Sequence, residues 1–503
     1  MVKQAFNPYL PSWEYVPDGE PHIFGDRVYV YGSHDKAKGT AFCLGDYVCW
    51  SASLKNIKDW RFEGIIYKRT QDPIYDGKMT LYAPDVTKGP DNRYYLYYVF
   101  YNLQIISVAV CNTPAGQYEF YGYVHYKDGT RLGEREGDLK QFDPGLLTEG
   151  DKTYLYTGFK FYGAMVTVLG RDMLTIEEEP KLFVPQGDYT LPKGKLTEKI
   201  NKDLQEINCP YKAVNLENWE GYKGYGFFEA SSIRKIDDTY FYIYSCKPDN
   251  NELVYATSKS PTDGFVFRGI IVSNCDLNID TYKPGEMKGY YGGNNHGSIV
   301  NLNGDWYIFY HRHTNCTSFS RQACAEKIQI EENGYIKQVE ITSCGLNGGP
   351  LLGKGEYPAY IACNLFTVQS DGSIAQNKVL KITQDGEDGD DGNPIEGIEN
   401  VELTTYVTGI KNNDVIGFKY FDFKDVKKVS VKTRQNLHGY FEVKTKWDGE
   451  VLGKIEVDCS SDSWVEFSGD VEIPNGVNSF YLKFIASNAD AKETGHLISF
   501  KFE

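Results

Sequence analysis

Gly226-Phe227-Phe228-Glu229-Ala230-Ser231-Ser232-Ile233-Arg234-Lys235, continued by Asp237-Asp238-Thr239-Tyr240-Phe241-Tyr242, decides the fold. A carboxylate heads an apolar strand, a tight acidic turn follows, and an aromatic strand of period two closes the unit. The unit recurs. Aligned on the first in-phase tyrosine, the aromatic strands fall at Tyr29, Tyr95, Tyr154, Tyr240 and Tyr307, separated by 66, 59, 86 and 67 residues. These spacings are too long for a hairpin and suit a four-stranded sheet with loops, so the repeat predicts a five-bladed β-propeller.

Eleven residues before four of those tyrosines stand Asp18, Asp143, Glu229 and His296, and ten before Tyr95 stands Asp85. The first strand of each propeller blade lines the central channel, so these five side chains are expected to converge on the axis. No Lys or Arg adjoins them in sequence, and an unpaired ring of acids is costly enough to indicate a functional site. Pro17 and Gly19 fix the bend that carries Asp18, while Glu20 is set aside as off the register and facing away. Asp85 and Asp143 are each paired with a proline, Pro84 and Pro144.

The chain has 503 residues, enough for two or more domains. Aromatics make up 15%, with 40 Tyr and 27 Phe, a composition that favours strands and offers flat faces to sugar rings. A formal charge of −16 argues against nucleic acid or an anionic membrane as partner. No apolar run is long enough to span a bilayer, and the start shows no secretory h-region, so a cytoplasmic protein is expected. The eleven cysteines are scattered without a CxxC pair and read as reduced core residues rather than a disulfide framework or a zinc site.

The repeat pattern ends near Asn347-Gly-Gly-Pro350, which sets the expected boundary between a propeller at residues 1–350 and a small antiparallel β-sandwich at residues 351–503. The polar insertion from Pro185 to Tyr225, containing Lys193, Lys195 and Trp219, either shapes the site or packs on a flank. His311 and His313 form an H-x-H, read as packing because no third ligand stands at a telling spacing. The acidic run Asp385–Gly392 lacks the EF-hand spacing and is expected to be a solvated loop.

Two carboxyl groups facing each other across a channel supply what inverting glycoside hydrolysis needs, an ionised base for water and a protonated acid for the leaving oxygen. A third acid nearby raises the pKa of the proton donor. The motifs Asp18 with Tyr31-Gly-Ser-His-Asp35, Ala83-Pro84-Asp85, Phe142-Asp143-Pro144, Phe228-Glu229-Ala230-Ser231, His296-Gly-Ser and Ser320-Arg321-Gln322 together resemble glycoside hydrolase family 43. The resemblance implies Asp18 as general base, Asp143 as pKa modulator and orienter, and Glu229 as general acid. It implies substrate contacts from Arg321, Tyr82, His34 and Phe228. His296 resembles the family's axial histidine, which in many members coordinates or water-bridges a calcium ion, and no organic cofactor is implied.

Where family members commonly carry Trp and Glu-Gly-Pro, this chain has Tyr82 and Glu229-Ala230-Ser231. The second domain resembles, more distantly, a family 6 carbohydrate-binding module, with Tyr420, Trp447 and Trp464 as candidate sugar platforms or core. The expected activity is exo-acting release of xylose from xylo-oligosaccharides, with α-L-arabinofuranosides or arabinan fragments as the alternative. A silent sugar-binding propeller is the reading from another class, opposed by the three axial acids. A phosphorylase would need a basic phosphate pocket that the cassettes do not provide.

Overall fold

The computed structural model describes residues 4–160, 162–187, 191, 194–246, 251–386, 404–489 and 494–503. Five small sheets follow one another along the chain, with strands in sequence order inside each. Blade one runs from Glu20–Phe24 to Asn56–Tyr67 and blade two from Asp85–Lys88 to Glu119–Tyr123. Blade three spans Gly145–Glu149 to Ile176–Pro185, blade four Phe227–Ile236 to Val266–Ser273, and blade five Ile299–Leu302 to Gln322–Ile328. The aligned tyrosines fall on the second strand of every blade. Alternation explains why: on Tyr94–Tyr98 and Thr239–Cys246 the aromatic rings fill the spaces between neighbouring sheets.

Blade five has three strands where four were expected. Its outer strand is met by the N-terminal segment: the Tyr9 amide donates to the Ala323 carbonyl at 3.2 Å, and the Asn7 side chain brackets Ala325 through both its polar atoms. Residues more than 300 positions apart thereby close the ring. The insertion packs on a flank. Its helix Leu196–Glu206 buries Leu196, Ile200 and Leu204, one apolar stripe, against blade three together with Tyr211 and Trp219. Lys193 lies outside the described residues.

Two further sheets pack face to face as a sandwich. One is ordered Ile374–Ala375, Asn364–Val368, Asp414–Phe423, Gly476–Ala486, Leu437–Lys444 and Gly453–Cys459. The other is ordered Lys381–Gln384, Thr405–Ile410, Gly495–Phe502, Lys428–Gln435 and Val465–Asp470. Phe418, Phe421, Phe480, Phe500 and Phe502 interlock between them, Phe418 and Phe500 with ring centres 4.3 Å apart. This apolar core is continuous with that of blades four and five through Ile271, Tyr290, Ile308 and Ile341, so the sandwich is not a tethered bead. Asp385 caps its edge by pairing with Arg434 at 2.9 Å, while 387–392 of the acidic run lie outside the described residues.

Candidate active site

A cavity of about 330 Å³ opens at the end of the propeller channel and brings Asp18, Asp143, Glu229, His296, Arg321 and Tyr82 to one space. Four blades and the loop before Gln322–Ile328 contribute, so the site exists only when the ring is closed. A larger groove of about 620 Å³ runs past Lys36, Lys38 and Arg69, but its one carboxylate, Asp46, is already bonded by Arg69 at 2.8 Å.

Asp18 sits in the bend expected of Pro17 and Gly19, with φ +58°, a left-handed conformation few non-glycine residues adopt. Its carboxylate takes one hydrogen bond from Arg321 at 2.9 Å and another from the Ser33 hydroxyl. Its backbone amide donates to His311 Nδ1 at 3.2 Å. Burial, then the Arg321 charge, holds His311 well below the ordinary imidazole range, so the ring is neutral and its Nε2 donates to the Asn294 carbonyl at 2.7 Å. Arg321 is itself clamped by Asp35, through Nε at 2.8 Å and Nη2 at 3.0 Å, a bidentate pair. The H-x-H thus packs as expected, yet one of its members fixes the acid.

Asp143, at φ +45°, accepts from the Ala230 amide at 3.0 Å, tying it to the residue beside Glu229. Burial raises its pKa well above the usual carboxylate range; His296 opposes the rise, and Glu229 and Asp18 add to it. Ala230 has φ +67°, where a glycine would be unstrained. Such outliers concentrate at functional sites. Lys140 also lines the cavity, its ammonium 4.9 Å and 4.4 Å from the ring centres of Phe142 and Phe159.

The ring of acids is less bare than the sequence implies. Arg321, His311, His22 and His296 reach Asp18, Asp85 and Asp143 from positions remote in the chain. Glu20 does not face away: it is fully buried, 2.8 Å from Arg234 and 3.5 Å from His296. It heads the strand Glu20–Phe24 just after the left-handed bend at Asp18, so strand alternation does not carry over from Asp18 to it. His34 stands outside the cavity lining. Its ring nitrogens meet Glu14 at 2.9 Å and the Asp46 carbonyl at 3.1 Å, which ties it to the loop. Phe228 is also outside the lining and packs with its ring centre 6.0 Å from that of Phe159. Tyr82 lines the wall between Phe142 and Tyr101.

Among the described residues, the group able to hold a metal is Glu20, His22 and Asp85, whose ligand atoms lie within 4.8 Å of one another. Glu20 Oε1 makes no hydrogen bond, with the His296 ring 3.5 Å away, and a buried carboxylate oxygen left without one fits a hard cation whose shell is completed by water. Burial opposes charge on His296, but Glu20, Asp143 and Asp18 outweigh it and hold its pKa up to about 9. His296 is not one of these three residues, and its ring stands 3.5 Å from Glu20 of the group.

The family model of glycosyl hydrolases family 43 matches residues 17–336. The chain belongs to family 43. A xylosidase/arabinosidase of Thermoclostridium stercorarium is 56% identical over 502 residues, covering 97% of this chain and 98% of that protein. A xylosidase/arabinosidase of Bacteroides ovatus is 24% identical over 60% of this chain and 87% of its own length. Among solved structures, the GH43_1 enzyme from Xanthomonas citri complexed with xylose aligns with a TM-score of 0.50 at 20% identity, over 69% of this chain and 96% of that one, a likeness of fold.

Sequence reasoning missed His311, Glu20 and Lys140. The signal for Glu20 was the same Pro-Asp-Gly-Glu-Pro bend that gave Asp18, and for Lys140 its place three residues before Asp143. His311 was marked only as half of an H-x-H, and its separation of 293 residues from Asp18 hid the contact.

Proposed function

We propose that this family 43 enzyme is an inverting, exo-acting glycoside hydrolase that releases xylose from xylo-oligosaccharides and arabinose from α-L-arabinofuranosides. The observation that carries the reading is one enclosed cavity with Asp18 and Glu229 on different blades and Asp143 beside the Glu229 strand. The 56% identical xylosidase/arabinosidase supports the substrate class. A pocket rather than an open groove favours cleavage from a chain end.

In this reading Asp18 is the base. As water attacks the anomeric carbon, its proton passes to the Asp18 carboxylate, while Glu229 gives its own proton to the departing glycosidic oxygen. One C–O bond forms as the other breaks, and solvent resets both acids. Asp143 orients the Glu229 strand through the Ala230 amide and, as a neighbouring acid, disfavours early loss of the proton. Arg321 and Tyr82 contact the sugar in the pocket. A calcium ion, if bound, would be held by Glu20, Asp85 and His22 and would supply positive charge to the acids around it. Residues 1–350 form the catalytic domain and 351–503 the sandwich. The sandwich architecture supports the family 6 likeness. Its partly exposed Trp464, beside Arg434, is the remaining sugar platform, because Tyr420 bonds Glu340 and Trp447 bonds the Tyr282 carbonyl. Eleven free cysteines, nine of them buried, favour a reducing compartment such as the cytoplasm.

Rates on 4-nitrophenyl β-D-xylopyranoside, 4-nitrophenyl α-L-arabinofuranoside and xylobiose, before and after chelation and calcium return, test the reading. Xylobiose cleavage with inversion is the expected result. Silence on all three substrates would overturn it.

A further inference from the structure

The strand Lys381–Gln384 is the edge of its sheet in the sandwich, and a free edge ordinarily invites unwanted pairing. Here the propeller covers it. The Ile382 amide donates to the Thr314 carbonyl at 3.0 Å, and the Ile382 carbonyl accepts from Asn315 Nδ2 at 3.0 Å. Further along the same strand, Gln384 Oε1 accepts from the Tyr15 hydroxyl at 3.3 Å, and the neighbouring strand adds Thr405 to Ser12 at 2.9 Å.

The two propeller segments gripped in this way are joined to each other and to the site. Thr314 donates to Gln322 at 2.6 Å, and Gln322 donates to the Ser12 carbonyl at 2.8 Å. The Asp35 amide donates to the Tyr15 carbonyl at 2.9 Å, Asp35 holds Arg321 in its bidentate pair, and Arg321 holds Asp18. Apart from the half-buried Ser12, every residue in this series from Thr314 to Asp18 is buried, so a displacement at one end has little solvent-filled space to absorb it.

We propose that the sandwich strand Lys381–Gln384 is a positioning element of the active site, clamping residues 12–15 and 313–316 so that Asp35 and Arg321 aim the Asp18 carboxylate. The inference rests on Asp18 as general base and assigns the second domain a part in turnover that is independent of sugar binding. Asn315, Tyr15 and Gln384 are positioning residues, since none lines the cavity.

The test uses the full chain and 4-nitrophenyl β-D-xylopyranoside. Asn315→Ala is expected to lower kcat about tenfold with KM within about twofold, since misplacing a reacting group costs turnover rather than affinity. Gln384→Ala and Tyr15→Phe should each lower kcat by about threefold and, sharing one bond, should not multiply in the double variant. Gln384→Glu, which keeps the acceptor oxygen, should restore the rate. Lys419→Met, which loosens the junction far from the clamp, should leave kcat per folded molecule unchanged. Unaltered kcat in folded Asn315→Ala, or multiplying factors in the Gln384 and Tyr15 pair, would overturn the clamp; should Asn315→Ala not fold, that pair decides. An inactive wild type would instead sink the assigned activity.

Discussion

Two clusters of buried charge differ in how completely they are satisfied. Where the sandwich meets the propeller, Lys419 is fully buried and shared by Asp276 at 3.1 Å and Glu340 at 3.0 Å, with its ammonium 3.9 Å from the centre of the Tyr282 ring. Tyr282 and Tyr420 donate to the same two oxygens that Lys419 binds, Thr281 donates to the other Glu340 oxygen, and the Ile341 amide to the other Asp276 oxygen. At the axis, by contrast, Glu20 Oε1 and His296 Nε2 face each other at 3.5 Å without a hydrogen bond, and Asp18, Asp143 and Ala230 all carry positive φ. A buried charge whose every carboxylate oxygen has a donor has one stable state and serves as a rivet. A cluster that leaves atoms open and backbone strained retains capacity to bind a polar ligand and to exchange protons.

The contrast breaks first at the acids. Asp18→Ala and Glu229→Ala should each lower xylobiose turnover by about 10²- to 10⁴-fold while near-ultraviolet circular dichroism stays native. The Glu229 variant should lose much less on 4-nitrophenyl xyloside, whose leaving group departs without a proton. Near-normal rates in either variant would erase the distinction between the clusters. The rivet should fail in the opposite sense. Lys419→Met leaves two buried carboxylates uncompensated, and a urea midpoint should report a loss of about 3–5 kcal/mol with activity retained by the folded fraction.

A smaller effect concerns pH. His296 titrates near 9 in the folded protein against an ordinary value of 6.5, so its contribution to stability is complete below that ordinary value. It disappears as pH rises through about 9. The Tm should fall across that window, and His296→Gln should flatten the fall. Smallest of all, Ala230→Gly should relieve the left-handed strain and stabilise the protein by about 0.5–1 kcal/mol without loss of turnover, read from the Tm.

The cassette was legible because its information is local. Tyr240, Asp237 and Glu229 lie within one strand pair, where period-two alternation and a turn signal suffice, and four more copies repeat the statement. The insertion was open in sequence because an amphipathic helix states only that it packs, and the partner, blade three, is not written beside it. His34 was carried by a motif whose neighbour Asp35 does the work: Asp35 grips Arg321 while His34 faces Glu14. The partners of the acids were invisible for the same reason. Arg321 meets Asp18 across 303 positions, and no spacing rule reaches that far.

That separation also orders events during synthesis. The amino-terminal segment can complete blade five only after Gln322–Ile328 has left the ribosome, and Asp18 acquires its arginine at the same moment. Contacts so distant in the chain form late and raise the entropic cost of closing the ring. A nascent chain that ends between Glu229 and blade five therefore carries Asp18, Asp143 and Glu229 yet has no assembled pocket, so turnover begins only when the last blade has emerged and the circle is joined.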